Sequence, residues 1–145
     1  MSAPLRIALA DDQALVRTGL KALLGGIAGL QVTLEAGDGE DLLAKLPQTP
    51  VDVILSDIRM PLCDGFQLAK RLRGKGDATP VLLMTTFDEP DLVLRAVECG
   101  AQGFLLKDAS PEDLHEAITA LAQGKTLLAP VPTDPVRSRY AYRET

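Results

Sequence analysis

Apolar residues recur along this chain in five short runs: LRIALA (5–10), QVTLEA (31–36), VDVILS (51–56), PVLLMT (80–85) and GFLL (103–106). Most are nearly continuous and aliphatic, the pattern of strands buried on both faces. Between them the spacing turns helical. Leu15, Val16, Gly19, Leu20, Leu23 and Leu24 form one apolar stripe, and Leu114, Ala117, Ile118, Leu121 and Ala122 form another. The last helix carries start and stop signals: Ser110 as N-cap, Pro111 in the first turn, Asp113 three residues after the cap, Gly124 at the end. Asp88-Glu89-Pro90-Asp91 reads as another helix start.

Strand followed by helix, five times over with short connections, predicts an α/β fold. The segment lengths fit a doubly wound, five-stranded parallel sheet of flavodoxin-like order 2-1-3-4-5, with right-handed crossovers. Residues 1–128 read as one domain. From Ala129 the period fails: APVPTDPVRSRYAYRET holds three prolines and five charged residues and reads as a linker or disordered tail.

Composition narrows the function. The 145 residues suit a single domain with a proper core. A net charge of −5 and the lack of any basic run argue against nucleic-acid binding by this chain itself. No apolar segment approaches the ~18 residues of a membrane span, and Met1 to Pro4 leads into LRIALA without a secretory h-region. Cys63 and Cys99 are too few for a disulfide framework and read as free thiols of a cytoplasmic protein.

In such sheets ligands bind beyond the carboxyl ends of the strands, where the strand order reverses. Strand 1 ends in Asp11-Asp12, strand 3 in Asp57, strand 4 in Thr85-Thr86, and strand 5 in Lys107-Asp108. Three carboxylates on one rim repel unless a cation compensates them. Oxygen-only ligation without His or Cys suits a hard ion, Mg²⁺ in particular. Lys107 adds a second positive charge, so the rim suits a phosphoryl group. A carboxylate at pH 7 needs no general base to attack phosphorus; positioning and charge neutralisation suffice.

These residues together resemble the receiver domain of bacterial two-component response regulators. The resemblance covers about residues 5–128 and rests on Asp11-Asp12, Asp57 with Pro61 four residues on, Thr85, and Lys107, in order and each at a strand end. MTTFDEPD and GAQGFLLKDASPEDL resemble the NarL/LuxR branch, whose members usually carry a C-terminal helix-turn-helix DNA-binding domain. The resemblance implies that Asp57 is the phosphoacceptor. It implies Mg²⁺ held by Asp12, Asp57 and the carbonyl of Arg59, with Asp11 acting through water. Thr85 would bind phosphoryl oxygens, Lys107 would pair with Asp57 and then with the phosphoryl group, and Phe104 occupies the switch-aromatic position. Phe104 lacks the hydroxyl often found there, and Asp108 stands where many receivers have proline, so a trans bond is expected after Lys107. Arg59 and Phe87 would flank the path of attacking water, and Thr86 would narrow access to the site.

Taken singly, each residue has a plainer reading. Asp11-Asp12 could cap a helix, Asp57 could sit in a turn, Lys107 could be a solvated charge, and Phe104 reads equally as core. Their convergence on one rim favours a functional site. His115 reads as a surface residue. Gly37-Asp38-Gly39 lacks the third glycine of a dinucleotide fingerprint, and Gly124-Lys125-Thr126 follows a helix where a phosphate loop would precede one.

The leading expectation is therefore a signalling module phosphorylated by a sensor histidine kinase. A homodimer on phosphorylation is a further partner, and DNA would be reached only through an effector domain absent here. The alternatives are a stand-alone receiver acting by protein contacts, a Mg²⁺-dependent phosphohydrolase with an aspartyl phosphate, and an FMN-binding protein. The phosphohydrolase would want Asp-x-Asp on the first strand, and an anionic rim would repel FMN.

Overall fold

The computed structural model describes residues 3–85, 91–130 and 140–144. Strands and helices alternate: β1 (Leu5–Ala10), α1 (Ala14–Gly25), β2 (Leu30–Ala36), α2 (Gly39–Lys45), β3 (Val53–Asp57), α3 (Gly65–Gly74), β4 (Val81–Thr85), α4 (Leu92–Cys99), β5 (Gly103–Leu106) and α5 (Pro111–Ala122). The strands run parallel in the order β2-β1-β3-β4-β5, as expected. All five residues of β3 and of β4 are buried, because helices cover both faces. A continuous apolar run, rather than an alternating one, is the sequence consequence.

Three of the helices, α2, α3 and α5, start where short polar side chains satisfy otherwise unpaired amides. Asp38 caps α2, accepting from the Asp41 amide. Asp64 and Gln67 form a capping box on α3, and Ser110 and Asp113 form one on α5. The α5 stripe is buried at Leu114, Ala117, Ile118 and Leu121 and lies across β3, β4 and β5. Asp91 precedes α4; the rest of the expected start, Asp88 to Pro90, lies outside the described residues.

The α1 stripe behaves differently. Only Leu24 of its six residues is buried; Leu15 is 86% exposed, Val16 38% and Leu23 37%. This helix packs mainly on β2, the edge strand, so much of its apolar face overhangs the sheet.

The sheet also continues past β5. β6 (Lys125–Pro130) pairs with β5 through Gly103 and Leu127, and the Leu127 amide donates to the Gln102 carbonyl at 2.8 Å. A Cβ on Gly103 would lie 2.9 Å from the Leu127 carbonyl oxygen, so glycine permits this approach. Where the sequence pattern places a domain boundary after residue 128, β6 runs through to Pro130. β7 (Tyr140–Glu144) then pairs antiparallel with β6. Leu127 is fully buried, and that burial draws the segment onto the sheet. Residues 131–139 of the expected linker lie outside the described residues.

Candidate functional site

Asp57 is the last residue of β3 and is 6% exposed. Its backbone is held tightly. The following amide, of Ile58, donates to the Met84 carbonyl at 3.2 Å, and the Gly65 amide donates to the Ile58 carbonyl at 2.8 Å. A Cβ on Gly65 would lie 2.7 Å from the Asp57 carbonyl oxygen and 2.9 Å from Leu83 Cδ2. Glycine therefore lets α3 begin directly against the backbone of the strand end. Between them runs a tight loop in which Leu62 adopts φ 67 and is 80% exposed, a conformation that disfavours a branched side chain.

β1 delivers its carboxylates beside Asp57. Asp11 is 1% exposed, and its Oδ1 accepts from the Gln13 amide at 2.9 Å. Asp12 is exposed. One carboxylate oxygen from each of Asp11, Asp12 and Asp57 lies within 4.8 Å of the others. Burial pushes the Asp11 carboxyl above the usual carboxylate range; the Gln13 amide opposes this, and the charge of Asp57 adds to it.

From the other side β4 and β5 bring the hydroxyl and the ammonium. Thr85 ends β4 and is 3% exposed. The Lys107 amide donates to the Thr85 carbonyl at 2.7 Å, and Lys107 Nζ lies 3.0 Å from Asp57 Oδ2. The peptide bonds of the described residues are trans, the one after Lys107 included. Phe104 is 3% exposed within the core, on β5 beside Leu83 of β4. Arg59 is exposed and lines an open cleft with Asp12, Met60, Pro61, Phe66 and Arg95, whose guanidinium lies 4.1 Å above the Phe66 ring. His115 is exposed on α5. Thr86 and Phe87 lie outside the described residues.

The fold thus brings Asp11, Asp12, Asp57, Thr85 and Lys107 to one rim, with Arg59 at its edge. The acidic cluster has the spacing and the hard oxygen donors that hold a metal ion. Sequence reasoning missed Gly65. Its only signal was the Asp-Gly pair at the head of a helix, which many turns share.

Residues 7–119 match the response regulator receiver domain, and the chain belongs to that family. It is 42% identical over 127 residues to the transcriptional regulatory protein YxjL of Bacillus subtilis and 42% identical over 124 residues to the transcriptional regulatory protein UhpA of Escherichia coli. Those alignments cover 88% and 86% of this chain but 58% and 62% of the relatives, so the chain spans about three fifths of their length. The signal receiver domain of NarL from Mycobacterium tuberculosis superposes with a TM-score of 0.79 at 36% identity, covering 85% of this chain and 99% of that one. The chain is a receiver domain of the NarL/LuxR type.

Proposed function

We propose that Asp57 accepts a phosphoryl group from the phosphohistidine of a sensor kinase, with Mg²⁺ held by Asp12, Asp57 and the Arg59 carbonyl. One observation supports this above the others. An almost fully buried carboxylate sits 3.0 Å from a lysine ammonium and shares its rim with two further carboxylates within 4.8 Å. That is a poor arrangement for stability and a suitable one for receiving a phosphoryl group.

In the transfer, an Asp57 oxygen attacks phosphorus in line. The oxygen–phosphorus bond forms as the phosphorus–nitrogen bond breaks, and the departing imidazole takes up a proton from solvent. Bound Mg²⁺ supplies charge neutralisation for the phosphoryl oxygens. Lys107 moves its charge from the carboxylate to the new phosphoryl group, and Thr85 donates its hydroxyl to another oxygen. Asp11 orients the metal site through water. Phe104, in the core next to these strands, repacks as Thr85 shifts, a population change between two packings. Turnover of the aspartyl phosphate by water is the module's own activity.

The output is transcriptional, through a helix-turn-helix domain C-terminal to this segment, with homodimerisation on phosphorylation and a cytoplasmic location. YxjL and UhpA, both transcriptional regulatory proteins by name, support the transcriptional output; no helix among the described residues is long and apolar enough to cross a membrane. A stand-alone receiver acting through protein contacts is the second reading. Continuation of the reading frame beyond Thr145 into a basic helical segment separates the two.

Incubation with acetyl phosphate and Mg²⁺ tests the site. The expected result is a base-labile mass gain of one phosphoryl group, absent in Asp57→Asn, without turnover of general phosphomonoesters. Labelling that survives in Asp57→Asn overturns the assignment.

A further inference from the structure

Arg17, on the second turn of α1, does not touch the acidic rim with its charge, yet it holds the backbone that carries two of the three carboxylates. Its Nη1 donates to the Asp11 carbonyl oxygen at 2.5 Å. Its Nε lies 3.7 Å from Glu35 Oε1 on β2, and Lys21 Nζ holds the other Glu35 oxygen at 2.8 Å. The loop itself is closed by the Arg17 amide on the Gln13 carbonyl at 2.9 Å and by the Asp11 amide on the Ala36 carbonyl at 3.1 Å. Arg17 thus ties three elements together: α1, the β1–α1 loop and the edge strand β2.

The packing of α1 makes this tie matter. An apolar face would ordinarily fix the first turn of a helix, but Leu15 is 86% exposed and Leu24, near the far end, is the helix's one buried residue. Apolar contact therefore anchors the C-terminal end of α1 and leaves the end beside Asp11 and Asp12 to polar contacts. Asp12 is exposed, so surrounding side chains do little to pack it in place. Its carboxylate is aimed by its backbone, and that backbone follows Asp11.

We propose that Arg17 is a positioning residue for the metal site, fixing the Asp11–Asp12 backbone through the Asp11 carbonyl, with Glu35 orienting the guanidinium. This rests on the reading of Asp12 as a Mg²⁺ ligand. Residues that orient metal ligands commonly govern affinity by about ten-fold or more when replaced. Arg17→Met keeps the apolar stem and removes every donor. Glu35→Gln keeps the shape and removes the charge that orients the guanidinium.

The measurement is Mg²⁺ affinity by calorimetric titration on the intact chain, beside thermal unfolding with and without Mg²⁺. Arg17→Met is expected to weaken Mg²⁺ binding about ten-fold, with the circular dichroism spectrum retained. Glu35→Gln is expected to weaken it less, and the double variant no more than Arg17→Met, because Glu35 acts through Arg17. Arg17→Lys, which restores one donor, should recover part of the affinity. It also serves as the reporter if Arg17→Met does not fold: Mg²⁺ affinity below wild type then supports the proposal. Wild-type affinity in folded Arg17→Met, or in Arg17→Lys together with Glu35→Gln, overturns the role of Arg17 while leaving the metal site standing. A wild-type chain that binds no Mg²⁺ removes the metal reading, and this proposal with it.

Discussion

Lys107 Nζ stands 3.0 Å from Oδ2 of Asp57, and the lysine's own amide is bonded to the Thr85 carbonyl. The cation is thus tied by its backbone to the residue that ends the neighbouring strand. The carboxylate is 8% exposed as a side chain and the lysine 33%, so solvent screens the pair from one side only. Lys107 compensates one negative charge where three are gathered.

That imbalance sets the behaviour of Asp57→Asn. The loss is one attraction at 3.0 Å, about 5–6 kcal/mol at an effective dielectric constant of 20, to be set against two repulsions. The gain is relief of repulsion between carboxylates whose oxygens lie within 4.8 Å, about 3 kcal/mol for each pair at an effective dielectric constant of 20. Melting temperature without Mg²⁺ should hold or rise in this variant while phosphoryl acceptance disappears. A clear fall in melting temperature would show that Lys107 outweighs the repulsion.

Mg²⁺ affinity should depend on Asp12 far more than on the neighbouring acidic loop. Asp38 is occupied as the α2 cap, Asp41 pairs with Lys45 at 3.0 Å, and Glu40 pairs with Arg71. Asp12→Ala should therefore weaken binding strongly, whereas Asp38→Ala, Glu40→Ala or Asp41→Ala should change it little. Equal losses in a calorimetric titration would mean that diffuse charge, not a defined cluster, attracts the ion.

Gly65→Ala should injure the site through the backbone. The added methyl would meet the Asp57 carbonyl oxygen at 2.7 Å and Ile58 Cα at 3.0 Å, neither of which can rotate away. We expect a cost of about 1–3 kcal/mol in denaturant unfolding and a slower phosphorylation by acetyl phosphate in the fraction that remains folded. Wild-type stability and rate together would show that α3 can slide away without consequence.

The turn before β4 supplies a pH dependence. Asp77 Oδ1 accepts from the Thr79 hydroxyl at 2.6 Å and from the Thr79 amide at 2.9 Å, and these bonds hold its carboxyl below the usual carboxylate range. A depressed folded pKa contributes stability that is present above the unfolded pKa, about 3.9, and lost as pH falls through the folded value. Asp77→Asn should thus be less stable than wild type at neutral pH, by about 1 kcal/mol, and the two should converge as pH falls below that range. A difference that persists unchanged under acid would place its origin in packing.

The strand runs, the order of the sheet and the residues at each strand end were legible because they follow from local rules. A buried parallel strand needs a continuous apolar run, and the ends of such strands converge wherever the order reverses. Asp11, Asp12, Asp57, Thr85 and Lys107 could therefore be gathered on one rim from the sequence alone. The capping residues of α5 were legible for the same reason, since an N-cap bonds within its own turn. The burial of α1 was not. Its stripe has the helical period of a core-facing helix, but the period records only that one face is apolar, and α1 lies over an edge strand that cannot cover that face. Nor could the chain's local pattern reveal that β6 would reach β5 at Gly103, that Gly65 touches the Asp57 carbonyl, or that Arg17 reaches back to Asp11. Each of these is a contact between elements. The sequence by itself determined which residues meet at the rim; only the tertiary structure decided what holds them there, because close approach and overhang depend on how far one element extends across another.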